Sequence, residues 1–225
     1  MKLKQKIFES TIPFVGSILR GYFRSPALVQ YEPGLEVKLM LKRSFSNILI
    51  NKLVGDYFEF GLFQGRSFLY ALESQQDARN WGVPIHCHGF DSFEGLSGIE
   101  SSKDEFHNLL EGGYKFSGGQ YACSLKEFNL ILKEHAVSQD RYTLHKGFFS
   151  ELLKDDYREQ FRPAAIVHID CDLYSPTKIV LNFIKPLLQQ GTIVLFDDYY
   201  CYQGQSNRGE AAALREFLDE NPGIE

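Results

Sequence analysis

Cysteine is scarce and scattered in this chain of 225 residues: Cys87, Cys123, Cys171 and Cys201 form no C-x-x-C pair. That spacing suggests neither a zinc site nor a disulfide framework, and it fits a reducing, cytoplasmic setting. Long basic runs are missing and the formal net charge is -5, so no cationic track is offered to the phosphates of a nucleic acid. No apolar run is long enough to span a bilayer. Lys2, Lys4 and Lys6 precede an apolar stretch at 12–19 and imitate a signal peptide. Glu9 and Pro13 interrupt that stretch and no small-residue cleavage site follows, so neither secretion nor a membrane partner is expected. Also missing are the G-x-G-x-x-G fingerprint of dinucleotide-binding loops, internal repeats and low-complexity tracts.

What is present is a hydrophobic fraction of 44%, enough for one α/β domain with an accessory segment. Residues 1–50 form that segment. Within it Leu35, Leu39, Phe45 and Leu49 fall near helical spacing over 35–50, which predicts a helix serving as a lid, a contact in a homodimer or simply a layer on the sheet. From residue 51 to 225 short apolar runs alternate with amphipathic stretches. Strands are predicted at 56–60, 84–90, 141–146, 164–170 and 192–196. Helices are predicted from 66, from Ser124 to about 135, at 148–157, from Ser175-Pro176 to a stop at Gly191, and at 209–218, with Pro186 straining the fourth. Ser124 and Glu127 have the spacing of a capping box. This alternation predicts a doubly wound, mostly parallel, Rossmann-like sheet. Residues 97–119 are long, polar and rich in glycine, the pattern of a mobile lid.

The chain is organised around residues 55–67, GDYFEFGLFQGRS, where a strand meets a glycine turn and a helix begins. Ligands of open α/β sheets bind outside the carboxyl ends of the strands. Gly61 and Gly65 there would let the backbone approach a ligand, and Glu59 would hold a hydroxyl or ammonium group. The glycines also suit a plain strand-turn-helix. The order Glu-Phe-Gly-x-x-x-Gly-Arg-Ser resembles motif I of class I S-adenosylmethionine (SAM) methyltransferases, whose cofactor has no phosphate for Glu59 to repel. Asp91, after the second predicted strand, lies at the distance expected of a carboxylate that accepts ribose hydroxyls; an Asx turn is the alternative. His86 and His88 alternate with Cys87 and are assigned no role.

Asp170 and Asp172 close the fourth predicted strand, and Asp197 and Asp198 the fifth. Neighbouring strands lie about 4.8 Å apart, so these acids converge at the ligand-binding edge. A hard divalent cation such as Mg²⁺ relieves their repulsion. Capping of helices or pairing with Lys178 and Arg208 would relieve it too.

The stretches EFGLFQGRS, GFDSFEGL, YACSLKEF, HIDCDLYSPTKIVLNFIKPLLQQGTIVLFDDYY and GEAAALREFL together resemble the macrocin O-methyltransferase-like group of class I SAM methyltransferases, from about residue 55 onward. The resemblance implies Mg²⁺-assisted methylation of a small-molecule hydroxyl, often on a sugar of a natural product. It implies that Glu59, Gly61 and Ser67 line the methionine end of SAM, that Asp91 and Ser92 meet the ribose, and that Asp170, Asp197 and Asp198 hold the metal, with Asp170 and Asp197 catalytic. Two departures stand out. Members of that group continue past the last helix into a strand pair, whereas this sequence stops at Glu225, so either a truncated chain or a partly open sheet edge is expected. Some relatives use a lid-loop His as base, but residues 108–134 contain no His, and the base is unassigned. A nicotinamide-dependent oxidoreductase and a catalytically silent SAM- or nucleotide-binding module are the competing readings.

Overall fold

Five parallel strands form one sheet in the order β3-β2-β1-β4-β5, in a computed structural model that describes residues 34–105 and 116–224. They are β1 (Asp56–Phe60), β2 (Cys87–Asp91), β3 (Tyr142–Lys146), β4 (Ala164–Ile169) and β5 (Ile193–Phe196). The order reverses between β1 and β4, so the crevice at that switch point is where a ligand is expected. All five residues of β1 and all six of β4 are buried. Their sequences, DYFEF and AAIVHI, put apolar residues on both faces because helices cover both sides of a parallel sheet.

One layer packs α1 (Leu35–Ile50), α2 (Arg66–Asn80) and α3 (Leu125–Glu134) on one face, around Phe45, Tyr57, Phe68, Phe128 and Ile166. The other face carries α4 (Phe149–Leu152), α5 (Asp155–Arg158), α6 (Tyr174–Ile184) and α7 (Gly209–Glu220), around Phe58, Phe60, Phe90, Ile169 and Ile184. Rings stack there along the sheet, Phe60 on Phe90 at 4.6 Å and Phe90 on His145 at 4.3 Å between centroids. Burying each such phenylalanine contributes on the order of 2 kcal/mol. His86 and His88 share this face, where their rings lie 4.8 Å apart, and Cys87 packs into the core on the opposite side.

Several expectations needed correction. α1 turns Leu41, Phe45 and Ile48 inward while Leu39 is 57% exposed, so its buried stripe is rotated from the predicted one. The compact unit that holds the sheet begins at Glu36, and α1 packs into its core through Leu41, Phe45 and Ile48, as the reading of a layer on the sheet has it. β2 starts at Cys87, after Pro84, which has no N–H to give a ladder. The single helix predicted at 148–157 is two one-turn helices, because Leu153 (ψ 73) and Lys154 (ψ 161) leave the helical region. Pro186 ends α6 in a 3₁₀ turn, Lys185–Leu187, so Gly191 (φ 94) turns the chain into β5 and stops no helix. The Ser124–Glu127 capping box is present.

The predicted lid falls partly outside the described residues. Its described root is pinned: Asp104 accepts hydrogen bonds from the Tyr174 amide and the Ser175 hydroxyl at the start of α6. Arg208 donates to the carbonyls of Ser102 and Glu105. Among the described residues no helix is long and apolar enough to cross a membrane.

Candidate active site

A cavity of about 300 Å³ opens at the carboxyl ends of the strands. Gly61, Leu62 and Phe63 after β1, Asp91 and Ser92 at β2, and Gly147 and Phe148 after β3 line one side; Asp170, Cys171 and Asp172 after β4 and Asp197 and Asp198 after β5 line the other.

On the β1–β2 side the acids are met by donors. Glu59 is fully buried and accepts from the Tyr57 hydroxyl and, at 2.5 Å, from the Ser67 hydroxyl. It therefore ties the strand to the first turn of α2 beneath the glycine turn, and neither Glu59 nor Ser67 lines the cavity. Gly61 (φ 92) does, and a side chain there would sit 1.8 Å from the Asp170 carbonyl oxygen. Gly65 (φ 75) precedes α2 and is pressed against the Phe128 ring, 2.7 Å from where a Cβ would stand. Its small size serves the packing of α3. Asp91 accepts from the amides of Leu62 (2.7 Å), Phe63 (3.3 Å) and Phe93 (2.6 Å). Burial raises its pKa although those three bonds oppose the rise. Ser92 closes a tight turn, donating to the Gly95 carbonyl and accepting from the Glu94 amide.

On the β4–β5 side the acids face one another. Carboxylate oxygens of Asp170, Asp172 and Asp198 lie within 4.8 Å of one another. Asp197 stands beside them with one oxygen 3.9 Å from His168 Nε2. Burial and the charges of the neighbouring aspartates push Asp170 well above the usual carboxylate range. Burial and Asp198 raise Asp172 to about 8, and these two share a hydrogen bond. Burial and Asp197 raise Asp198. The alternative ion partners are engaged elsewhere: Lys178 pairs with Glu216 and Glu220, and Arg208 holds the lid root. Among the described residues no lysine or arginine forms an ion pair with any of the four aspartates.

Three hard oxygen donors in this range fit a cation such as Mg²⁺, whose opposite ligands lie about 4 Å apart. The group that comes closest includes Asp172, where the sequence suggested Asp197.

Two residues escaped the sequence reading. His168 is fully buried on β4, and neither ring nitrogen has a hydrogen-bond partner among the described residues. Its Nδ1 lies 3.8 Å from Glu59 and its Nε2 faces Asp197. Burial opposes its protonation, but Glu59 and the aspartates outweigh that and raise its pKa. Glu210, in the first turn of α7, is fully buried beneath both acidic loops. The only sequence signals were the His of HIDCD and the Glu of GEAAALREFL.

The methyltransferase-domain family matches residues 58–199, more than half of the sequence. The chain belongs to that family. Its methyl donor is accordingly SAM, as the glycine turn suggested, while membership in the macrocin-like group rests on the motifs alone. No curated protein sequence matches the chain. Among solved structures this methyltransferase is similar to CalS11, calicheamicin methyltransferase, with a TM-score of 0.68 at 23% identity, covering 97% of this chain and 83% of that one. It is also similar to the O-methyltransferase NovP, with a TM-score of 0.67 at 18% identity, covering 83% and 72%. An O-methyltransferase from Bacillus cereus in complex with SAH (S-adenosylhomocysteine, demethylated SAM) gives 0.50 at 13% identity, covering 90% and 84%. At these identities the likeness establishes the Rossmann-like fold.

Proposed function

We propose that this methyltransferase transfers a methyl group to a hydroxyl of a small molecule, a sugar or glycosylated natural product, with a divalent cation assisting. The observation that carries the reading is one cavity with two unlike walls, a glycine turn braced by Asp91 on one side and four aspartates on the other. CalS11 is described as a TDP-rhamnose 3'-O-methyltransferase, and the sugar class is carried over from it as part of this proposal.

When bound, SAM supplies a methyl group on a sulfonium that leaves as a neutral thioether. Gly61 and the Leu62–Phe63 backbone, held by Asp91, would form the wall that receives it, and Asp91 and Ser92 would meet its ribose. Asp170, Asp172 and Asp198, with Asp197 on the same rim, would hold a cation such as Mg²⁺, which would orient and acidify the acceptor hydroxyl. A carboxylate of that rim would take the hydroxyl proton, so that the C–O bond forms as the C–S bond breaks and the proton ends on the carboxylate. Positioning of this kind carries much of the rate of an in-line transfer.

The test is incubation with trideuteromethyl-SAM and a panel of nucleotide sugars and glycosides, read by mass spectrometry with Mg²⁺ and with excess chelator. Label on a hydroxyl that depends on the cation is expected. Transfer to nitrogen or sulfur, full transfer in excess chelator, or binding of NADH in preference to SAM would overturn the reading.

A further inference from the structure

The β4–β5 ladder ends where Asp197 donates its amide to the Ile169 carbonyl at 3.0 Å. Beyond that point the two chains carry their acids on loops, and the next amides have no strand to bond. Glu210 takes two of them. Its Oε1 accepts from the Cys171 amide and its Oε2 from the Asp198 amide, both at 3.1 Å. Cys171 is the residue between Asp170 and Asp172, and Asp198 is itself one of the four acids. One fully buried carboxylate therefore spans the two loops at the points that set how far apart their acids stand.

The sequence of α7 brings Glu210 there. Ala211, Ala212 and Ala213 follow it, all buried, and small side chains let the helix lie close against the sheet and α6. The first turn of a helix also favours an acid. Simple satisfaction of two stray amides needs no single bridging group, since a separate side chain or a water at each loop would serve equally well.

We propose that Glu210 is a positioning residue: it fixes the separation of the Asp170–Asp172 and Asp197–Asp198 loops, and so the affinity of the site for its divalent cation. This inference rests on the cation reading of the preceding subsection. The arrangement is the familiar one in which groups behind the ligands orient them, where a substitution costs about 10–100-fold in metal affinity.

The test is calorimetric titration of the purified parent and of Glu210→Gln with Mn²⁺, and separately with SAH. A glutamine keeps one acceptor and points an NH₂ at the other amide, so one half of the strut is lost. The expected result is a fall in Mn²⁺ affinity of about tenfold or more with SAH affinity unchanged. Equal Mn²⁺ affinity in parent and variant would overturn the role of Glu210 and leave the cation reading standing. A parent that binds no Mn²⁺ would overturn the cation reading, and this inference with it. A parallel loss of SAH binding would show that Glu210 holds the fold as a whole, against the inference. Should the variant not fold, hydrogen exchange of the parent decides: Mn²⁺ should slow exchange at both the Cys171 and Asp198 amides, and an unchanged rate at both contradicts the strut.

Discussion

At the carboxyl ends of β1 and β2, Glu59 is satisfied by the Tyr57 and Ser67 hydroxyls and Asp91 by the Leu62, Phe63 and Phe93 amides. Across the switch point, at β4 and β5, four aspartates share one rim, and burial with the neighbouring charges raises the pKa of Asp170, Asp172 and Asp198. The two halves have the same strand ends and the same kind of side chain. They differ in what the carboxylates have to bond to, and that difference separates a wall satisfied by its own donors from a wall whose acids face one another. A third setting calibrates both. At the amino end of β1, burial works against the charge of Asp56, yet hydrogen bonds from His88, Arg162 and the His86 amide bring its pKa below the usual range.

The comparison breaks most visibly at the rim. Asp197→Ala should lower turnover by about a hundredfold or more, the scale of losing one group that acts on developing charge, while SAH affinity and melting temperature stay close to the parent. Asp91→Asn should do the reverse. An asparagine cannot accept all three amides, and leaving one buried donor unmet costs about 1–3 kcal/mol. SAH affinity should fall by roughly tenfold on that scale, with Mn²⁺ affinity preserved.

Asp56 sharpens the comparison through pH. Its folded pKa is depressed, so the stability it adds is present in full above the unfolded value of about 4 and is lost as pH falls from there through the folded value. Asp56→Asn should therefore lower the melting temperature at pH 7, by about 1.5–3 kcal/mol of stability, and the gap to the parent should begin to narrow only below about pH 4. A gap that stays constant with pH would mean the Asp56–Arg162 pair contributes nothing through its charge. The smallest effect is expected at the lid root. Asp104→Ala removes a cap supplied to α6 from another segment and should cost about 1 kcal/mol, read as a small fall in melting temperature with faster amide exchange at Tyr174.

Much of this is legible in the sequence. The strands stood out because a sheet covered on both faces leaves apolar runs such as AAIVHI, and the acids at their ends followed from strand position alone. The stretch 148–157 was not legible, since two single turns give no periodicity to find. The satisfaction of each acid was not legible either. Asp91 is met by amides 28 and 29 residues away, and Glu210 reaches 39 residues to Cys171, distances across which sequence pattern carries no signal. Gly65 illustrates the same limit: its place in the motif suggested a ligand, and its neighbour is the Phe128 ring.

The division between the two walls is tested most directly by one paired titration, SAH and Mn²⁺ each run against the parent, Asp91→Asn and Asp197→Ala. The account predicts that Asp91→Asn loses SAH affinity and keeps Mn²⁺, and that Asp197→Ala loses Mn²⁺ affinity and keeps SAH. Two variants that lose both ligands together, or a parent and an Asp197→Ala protein with the same Mn²⁺ affinity, would contradict it.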